Sequence, residues 1–335
     1  MNLNLSISPT VTRRDMLKIT AVAGTLVVGG KLASTRWLPR SQTIHETRTL
    51  MGTVINLALV TDDKQAGQAV IEATFAEMER LIALFDHRHP EAQLAILNCD
   101  GKLSQPAPEL VDLMNLALSY GRLTNGAFDV TVKPIIDALK NGGSSAEAAH
   151  LVNFRWVSVN SNRITFAQPG MAVTLDGIAK GRVVDGAVAV LQANNFGNIL
   201  VEAGGDLWGQ GLRLDGAPWR VGVANPRPAA ETGVLAIFPV AAQAAATSGD
   251  YQNSFTPDFG LHHIVDPVTA VSPLELASAT VIAPSAADAD ALSTALMVMG
   301  PDKGLALAER LPHVEALLVG KDLQIYRSSG FPTLE

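Results

Sequence analysis

Asp290 and Thr294 stand four residues apart in Ala289-Asp290-Ala291-Leu292-Ser293-Thr294. On a helix that spacing puts a carboxylate and a hydroxyl on one face, one turn apart. Two hard oxygens suit Mg²⁺, whose remaining octahedral positions go to phosphate oxygens, a backbone carbonyl and water. The same pattern also arises when an acidic residue sits near a helix start and a threonine merely packs. Upstream, His262-His263-Ile264-Val265-Asp266-Pro267 places an imidazole beside a turn-forming Asp-Pro. His263 is either a general base working near neutral pH or a buried histidine hydrogen-bonded to Asp266. Together these groups are the parts of a metal-assisted group-transfer site.

Other segments could close around the same ligand. Leu175-Asp176-Gly177-Ile178-Ala179-Lys180-Gly181 joins an extended stretch to a helix, and its small residues let backbone approach a ligand or simply turn the chain. Gly126-Ala127-Phe128-Asp129 offers aromatic surface and an acceptor, or a turn and one core phenylalanine. Met51-Gly52-Thr53 opens a strand. The dinucleotide, Walker, H-E-x-x-H and G-x-S-x-G signatures are all missing, so a bound dinucleotide would not rest on a Rossmann turn.

Taken in order, these segments resemble the FAD:protein FMN transferases, the ApbE-like flavin transferases, from about Thr49 onward. The resemblance implies that Asp290 and Thr294 are Mg²⁺ ligands together with the backbone carbonyl of Gly177, and that His263 is the catalytic base. It also implies flavin contacts from Met51, Ala127, Phe128, Asp129 and Val265. Departures from the family pattern are local. Thr174-Leu175-Asp176-Gly177 stands where the family has Asp-Leu-Gly-Gly, so Thr174 would meet the flavin as a hydroxyl without charge, while Lys180 keeps the family's lysine. Arg88 occupies the place of a family aromatic in a stretch that ends correctly at Asn98, and would either stack on a purine or be solvated.

The activity so implied is Mg²⁺-dependent movement of FMN from FAD to a threonine hydroxyl of an exported redox protein, with AMP leaving. Its protein partner would carry an FMN-binding domain with a Ser/Asp-Gly-Ala-Thr-type sequence. Two other readings use the same residues: a Mg²⁺-dependent FAD pyrophosphatase with water as acceptor, and a FAD-binding accessory flavoprotein of a nitrous-oxide-reduction type respiratory complex.

Periodicity supplies the elements that must position these groups. Residues 53–60 alternate as a half-buried strand, and residues 65–85 and 108–123 carry apolar side chains at helical spacing. Residues 140–149 read as a loop, and 156–159 with 163–166 as a hairpin. A helix is expected over 178–193, then short strands at 198–202, 219–223 and 233–240, helices over 286–299 and 303–310, and a closing hairpin of 315–319 with 323–327. Without regular βαβ alternation the expectation is one α+β domain over residues 45–335, with mostly antiparallel or mixed sheets packed with helices.

Residues 1–40 read as a separate segment. Thr12-Arg13-Arg14-Asp15-Met16-Leu17-Lys18 is a twin-arginine pattern, and the apolar run from Ile19 to Gly30 is too short to span a bilayer core of ~30 Å. A Tat signal and a periplasmic or extracytoplasmic location are therefore expected, with any membrane association coming through an uncleaved signal or a membrane-bound acceptor. The single cysteine, Cys99, rules out an internal disulfide. A net charge of -7 with no basic run past the signal argues against nucleic acid as a partner.

Overall fold

A computed structural model describes residues 41–227 and 233–332. The expected export signal lies outside the described residues. Among the described residues no helix is long and apolar enough to cross a membrane.

The frame is one antiparallel sheet. Its eight strands are β1 (Gln42–Leu50), β2 (Thr53–Thr61), β6 (Ile199–Ala203), β7 (Asp206–Gln210), β10 (Gln243–Gly249), β11 (Leu276–Ala283), β12 (Glu315–Gly320) and β13 (Ile325–Arg327), in the order β1-β2-β6-β7-β10-β11-β12-β13. Every adjacent pair is antiparallel. A three-stranded sheet holds β3 (Lys102–Ser104), β4 (Val157–Asn160) and β5 (Arg163–Phe166), and a two-stranded one holds β8 (Trp219–Ala224) and β9 (Val234–Val240).

Three helices cover one face of the large sheet: α1 (Lys64–Phe85), α6 (Ala179–Ala193) and α7 (Ala286–Ala308). The shorter α2 (Gln93–Asp100), α3 (Pro108–Leu123), α4 (Lys133–Asn141) and α5 (Ser145–Ala148) flank them. The main core lies between sheet and helices and includes Ile55, Leu57, Phe75, Met78, Leu113 and Val183. A second core under β8 and β9 joins Trp219, Val221 and Phe238 to Leu207, Ile282 and Leu317 on the other face of the sheet. With both faces covered, every residue of β11 is buried. The α+β architecture with antiparallel sheets is the one the sequence implies.

Residues 140–149 depart from their expectation as a loop. Helix α4 runs into the stretch as far as Asn141 and ends on Gly142 in the left-handed region (φ 71°), and α5 adds a further turn capped by the Ser144 hydroxyl. The two helices expected over 286–310 are both present as the two halves of α7, divided at Gly300, whose backbone leaves the helical region (φ 75°) just before Pro301.

Helices α6 and α7 cross at very close range. A Cβ on Gly181 would lie 2.1 Å from the Ala286 carbonyl oxygen, which is backbone and cannot retreat without moving the helix. The start of α7 is held by two residues at once: the Ser285 hydroxyl accepts from the Asp288 amide, and the Asp185 carboxylate of α6 accepts from the Ala286 and Ala287 amides at 2.7 and 3.0 Å. Gly181→Ala is therefore expected to cost about 3 kcal/mol or more, read as a fall in the thermal midpoint. An unchanged midpoint would refute this reading of the crossing.

Candidate active site

The β6–β7 turn, the C-terminal end of β10 and the N-terminal end of α6 meet at one end of the sheet, beside the first turns of α7. The cleft there is shallow, with about 760 Å³ of space when its open mouth is included. Ten of the residues singled out in the sequence line it: Ala127, Phe128, Asp129, Thr174, Gly177, Lys180, His263, Val265, Asp290 and Thr294. These come from four chain segments far apart in sequence.

Each segment is fixed by identifiable bonds. Asn98 of α2 clamps the backbone of Val173 from both sides, its amide accepting from the Val173 N–H at 2.7 Å and donating to the Val173 carbonyl at 2.8 Å. That sets the 174–178 corner, where the Ile178 and Ala179 amides both donate to the Leu175 carbonyl to start α6. Asp129 caps the following 3-10 turn: one oxygen accepts from the Thr131 amide and hydroxyl, the other from the Phe154 amide. Asp129 therefore faces the cleft with both oxygens already engaged by protein.

The floor is electrostatically crowded. Lys180 Nζ donates to Asp206 Oδ2 at 2.6 Å, and Asp290 Oδ2 accepts from the Gly181 amide at 3.1 Å. Burial pushes both carboxyls up, Asp206 opposed by Lys180, and Asp290 driven well above its ordinary range by the added repulsion of Asp206. Burial works against the charge on Lys180 too, but Asp206 and Asp290 outweigh it and hold the ammonium protonated. Asp206 Oδ1 is buried with no hydrogen-bond partner. Two carboxyls, one ammonium and an orphaned oxygen leave room for additional positive charge.

Asp290 and Thr294 do lie one turn apart on α7, as their spacing requires. Ser248 of β10 lies opposite, its hydroxyl 2.8 Å from Ser293 Oγ and 3.1 Å from Thr294 Oγ1. Gly177 approaches the same hydroxyl, since a Cβ built on it would stand 3.0 Å from Thr294 Oγ1. Among the described residues no cluster of three or more His, Cys, Asp or Glu is arranged as a metal cage. A cation here would rest on the Asp290 carboxylate, the Thr294 hydroxyl and the Gly177 carbonyl, with ligand oxygens completing the shell. That mixed, sparse oxygen set is the one Mg²⁺ tolerates.

His263 does not bond to Asp266, whose Oδ1 instead accepts from the Val268 amide to close a turn. The His263 backbone is held by the Asn253 carbonyl at 3.1 Å, and its Nδ1 is buried without a partner. Burial lowers its pKa to about 4, helped by His262 and opposed by Asp176 across the cleft. The imidazole is therefore neutral at physiological pH and free to accept a proton.

Two expected contacts fall elsewhere. Met51 occupies the β1–β2 turn in the left-handed region (φ 52°), exposed, and is not among the residues lining the cleft. Arg88 is largely exposed and pairs with Asp176 Oδ2 at 2.7 Å, beside His87 at 3.4 Å. Burial of the Asp176 carboxyl is outweighed by these partners, which hold it well below the usual carboxylate range although about half its side-chain surface stays open to the mouth. Asp206 and Ser248 join the site although neither belongs to a segment singled out above. They stand in Gly204-Gly205-Asp206 and Ser248-Gly249-Asp250, which also occur as ordinary turns, and only the fold brings Lys180 to Asp206.

A sheet end that gathers a neutral imidazole, a lysine and a carboxyl–hydroxyl pair on one helix face brings together groups able to accept a proton and to hold a cation. The chain belongs to the ApbE family, whose model matches residues 51–318. It is 29% identical over 314 residues to the FAD:protein FMN transferase of Vibrio cholerae, covering 87% of this chain and 92% of that one. Against its counterpart from Haemophilus influenzae the identity is 28% over 314 residues, with coverage of 86% and 90%. The structure superposes on flavin transferase ApbE from Vibrio cholerae with a TM-score of 0.76 at 27% identity. For the ApbE protein from Thermotoga maritima the values are 0.78 and 28%, and both comparisons cover 87% of this chain and 98% of the other.

Proposed function

We propose that this protein is an exported, Mg²⁺-dependent FAD:protein FMN transferase that esterifies FMN to a threonine of an extracytoplasmic redox protein. The observation that carries the reading is the convergence of His263, Lys180, Asp290, Thr294 and Gly177 on one cleft in a chain that matches relatives of that name over most of its length. Their role is to bind a diphosphate through Lys180 and a cation held by Asp290, Thr294 and the Gly177 carbonyl, while an acceptor hydroxyl enters from the mouth.

In the reaction, the acceptor oxygen attacks the FMN-side phosphorus of FAD, the bond from that phosphorus to the bridging oxygen breaks, and AMP leaves with that oxygen. The hydroxyl proton passes to the neutral His263 imidazole. Lys180 stays protonated and offers a cationic donor to phosphate oxygens. When bound, Mg²⁺ would supply charge neutralisation at the phosphates, held by Asp290, Thr294 and the Gly177 carbonyl. Phe128 and Val265 give the isoalloxazine an apolar wall, with Ala127 and Thr174 beside it.

Tat export and a periplasmic location fit the twin-arginine pattern, and an acceptor carrying a Ser/Asp-Gly-Ala-Thr-type sequence fits the reaction. The test is to incubate the protein with FAD, MgCl₂ and an FMN-binding domain and weigh the acceptor. A gain of one FMN that a chelator abolishes is expected. Free FMN and AMP without labelled acceptor would make the protein a pyrophosphatase. FAD that stays bound and intact would make it a flavin carrier.

A further inference from the structure

The segment between β10 and β11 brings His263 into the cleft, yet 250–263 contains almost no regular structure. It folds as a narrow clasp. The His263 amide donates to the Asn253 carbonyl at 3.1 Å, the Phe255 amide donates to the Leu261 carbonyl at 2.7 Å, and Ser254 bridges to His262 between them. One leg begins at Asp250 and passes Gln252, which lines the cleft. The tip lies at 256–260, where Phe259 takes the left-handed region (φ 59°), and the returning leg ends at His263.

Two cations grip this clasp at both ends. Arg227, just beyond β8, makes a two-pronged pair with Asp250, Nη1 donating to Oδ1 and Nη2 to Oδ2, each at 2.8 Å. The same guanidinium lies 4.6 Å from the centre of the Phe259 ring at the tip. Lys321, in the β12–β13 turn, donates to the Phe259 carbonyl at 2.7 Å and stands 3.5 Å from Asp250 Oδ2. Asp250 is fully buried, so its charge has no water to fall back on. Base and tip of the clasp are thus tied through one carboxylate and one aromatic ring to two different strand ends. Neither cation lines the cleft.

We propose that Arg227, seconded by Lys321, is a positioning residue for group transfer: by clamping Asp250 and Phe259 together it fixes where His263 and Gln252 stand in the cleft. This rests on the transferase reading given above. A planar fork that pairs with a carboxylate on its edge and stacks on a ring with its face is a task for arginine rather than lysine. Catalytic groups displaced by about 1 Å lose about a hundredfold in rate. Released from the clamp, the clasp would still be closed by its own backbone bonds, but its base and tip would no longer be tied to the two strand ends.

The experiment compares Arg227→Ala and Arg227→Lys with the unaltered chain, using FAD, MgCl₂ and an FMN-binding domain. Ile164→Ala, in the three-stranded sheet, serves as a destabilised control of comparable thermal midpoint. Arg227→Ala is expected to lower kcat by about 10- to 100-fold while KM for FAD moves less than about threefold, with Arg227→Lys recovering part of the rate. Diethyl pyrocarbonate acylation of His263, followed by peptide mass relative to His45 and His313, should quicken in Arg227→Ala and not in Ile164→Ala. Wild-type kcat in either folded Arg227 variant with an unchanged acylation rate at His263 overturns the proposal, as does an equal loss of kcat in the control. Should Arg227→Ala fail to fold, Arg227→Lys decides by the same two measurements. An unaltered chain that transfers no FMN would instead refute the transferase reading, and the acylation rates would still test the clamp.

Discussion

Replacing Asp290 by alanine is expected to abolish FMN transfer, with a loss of about a thousandfold or more, and to leave the thermal midpoint within a few degrees of the unaltered protein. The first half follows from position: Asp290 is the carboxylate that shares a helix face with Thr294 and would carry most of the charge facing a divalent ion. The second half follows from its surroundings. Asp290 is buried against Asp206, whose charge adds to burial in pushing the Asp290 carboxyl up. Alanine leaves the Gly181 amide without its acceptor, a cost of about 1–3 kcal/mol, and in exchange leaves Lys180 and Asp206 as an uncrowded pair at 2.6 Å. Activity and stability therefore part company at this residue, as they do where a fold tolerates strain for function. The companion measurement is the rise in midpoint when FAD and MgCl₂ are added together, which follows mass action. The unaltered chain should show it and Asp290→Ala should not. Retained Mg²⁺-dependent turnover in Asp290→Ala would remove this carboxylate from the site.

Much of this was legible in the residues because their arrangement is local. Helix α7 brings Asp290 and Thr294 together by its own periodicity, and the break at Gly300 is written in Gly300-Pro301. Helices α1 and α3 show their buried faces as apolar spacing. What failed to show depends on the sheet. Strand β11 is covered on both faces, so it reads as an unbroken run of small and apolar residues without alternation, and β10 is similarly masked. Strand β1 has a polar exposed face and, among the described residues, is an edge that pairs only with β2. The partnerships that tune the site are hidden for the same reason. Lys180 meets Asp206 across 26 residues and Ser248 meets Thr294 across 46, and no spacing rule spans such distances. Arg88 and Asp176, each a departure from the family pattern, bond to one another across 88 residues, so that two local irregularities are one contact at the cleft mouth.

Replacing His263 by glutamine is expected to lower kcat for FMN transfer by about 10²- to 10⁴-fold while FAD binding stays near its original strength. Glutamine fills a similar space but cannot take the acceptor's proton. The environment of His263 adds a pH signature that separates this role from packing. Burial lowers the imidazole pKa to about 4 from an ordinary value of 6.5, so the acid limb of kcat/KM in the unaltered chain should fall near the lower value. An acid limb near pH 6.5 would mean an imidazole that is solvated and not held in this cleft. Stability changes in the same window with a definite sign. As pH falls below the ordinary value the unfolded chain takes up a proton that folded His263 refuses, so stability is lost progressively until the folded group also titrates. The loss amounts to at most about 3 kcal/mol from this residue, since each unit of displacement is worth about 1.4 kcal/mol and the open side of the cleft screens part of it. His262, also lowered by burial, contributes in the same direction. Thermal midpoints measured between about pH 4 and pH 7 should therefore slope less steeply in His263→Gln than in the unaltered chain. Equal slopes would show that the imidazole is as easily protonated in the folded protein as in the unfolded one, and the base would have to be sought elsewhere.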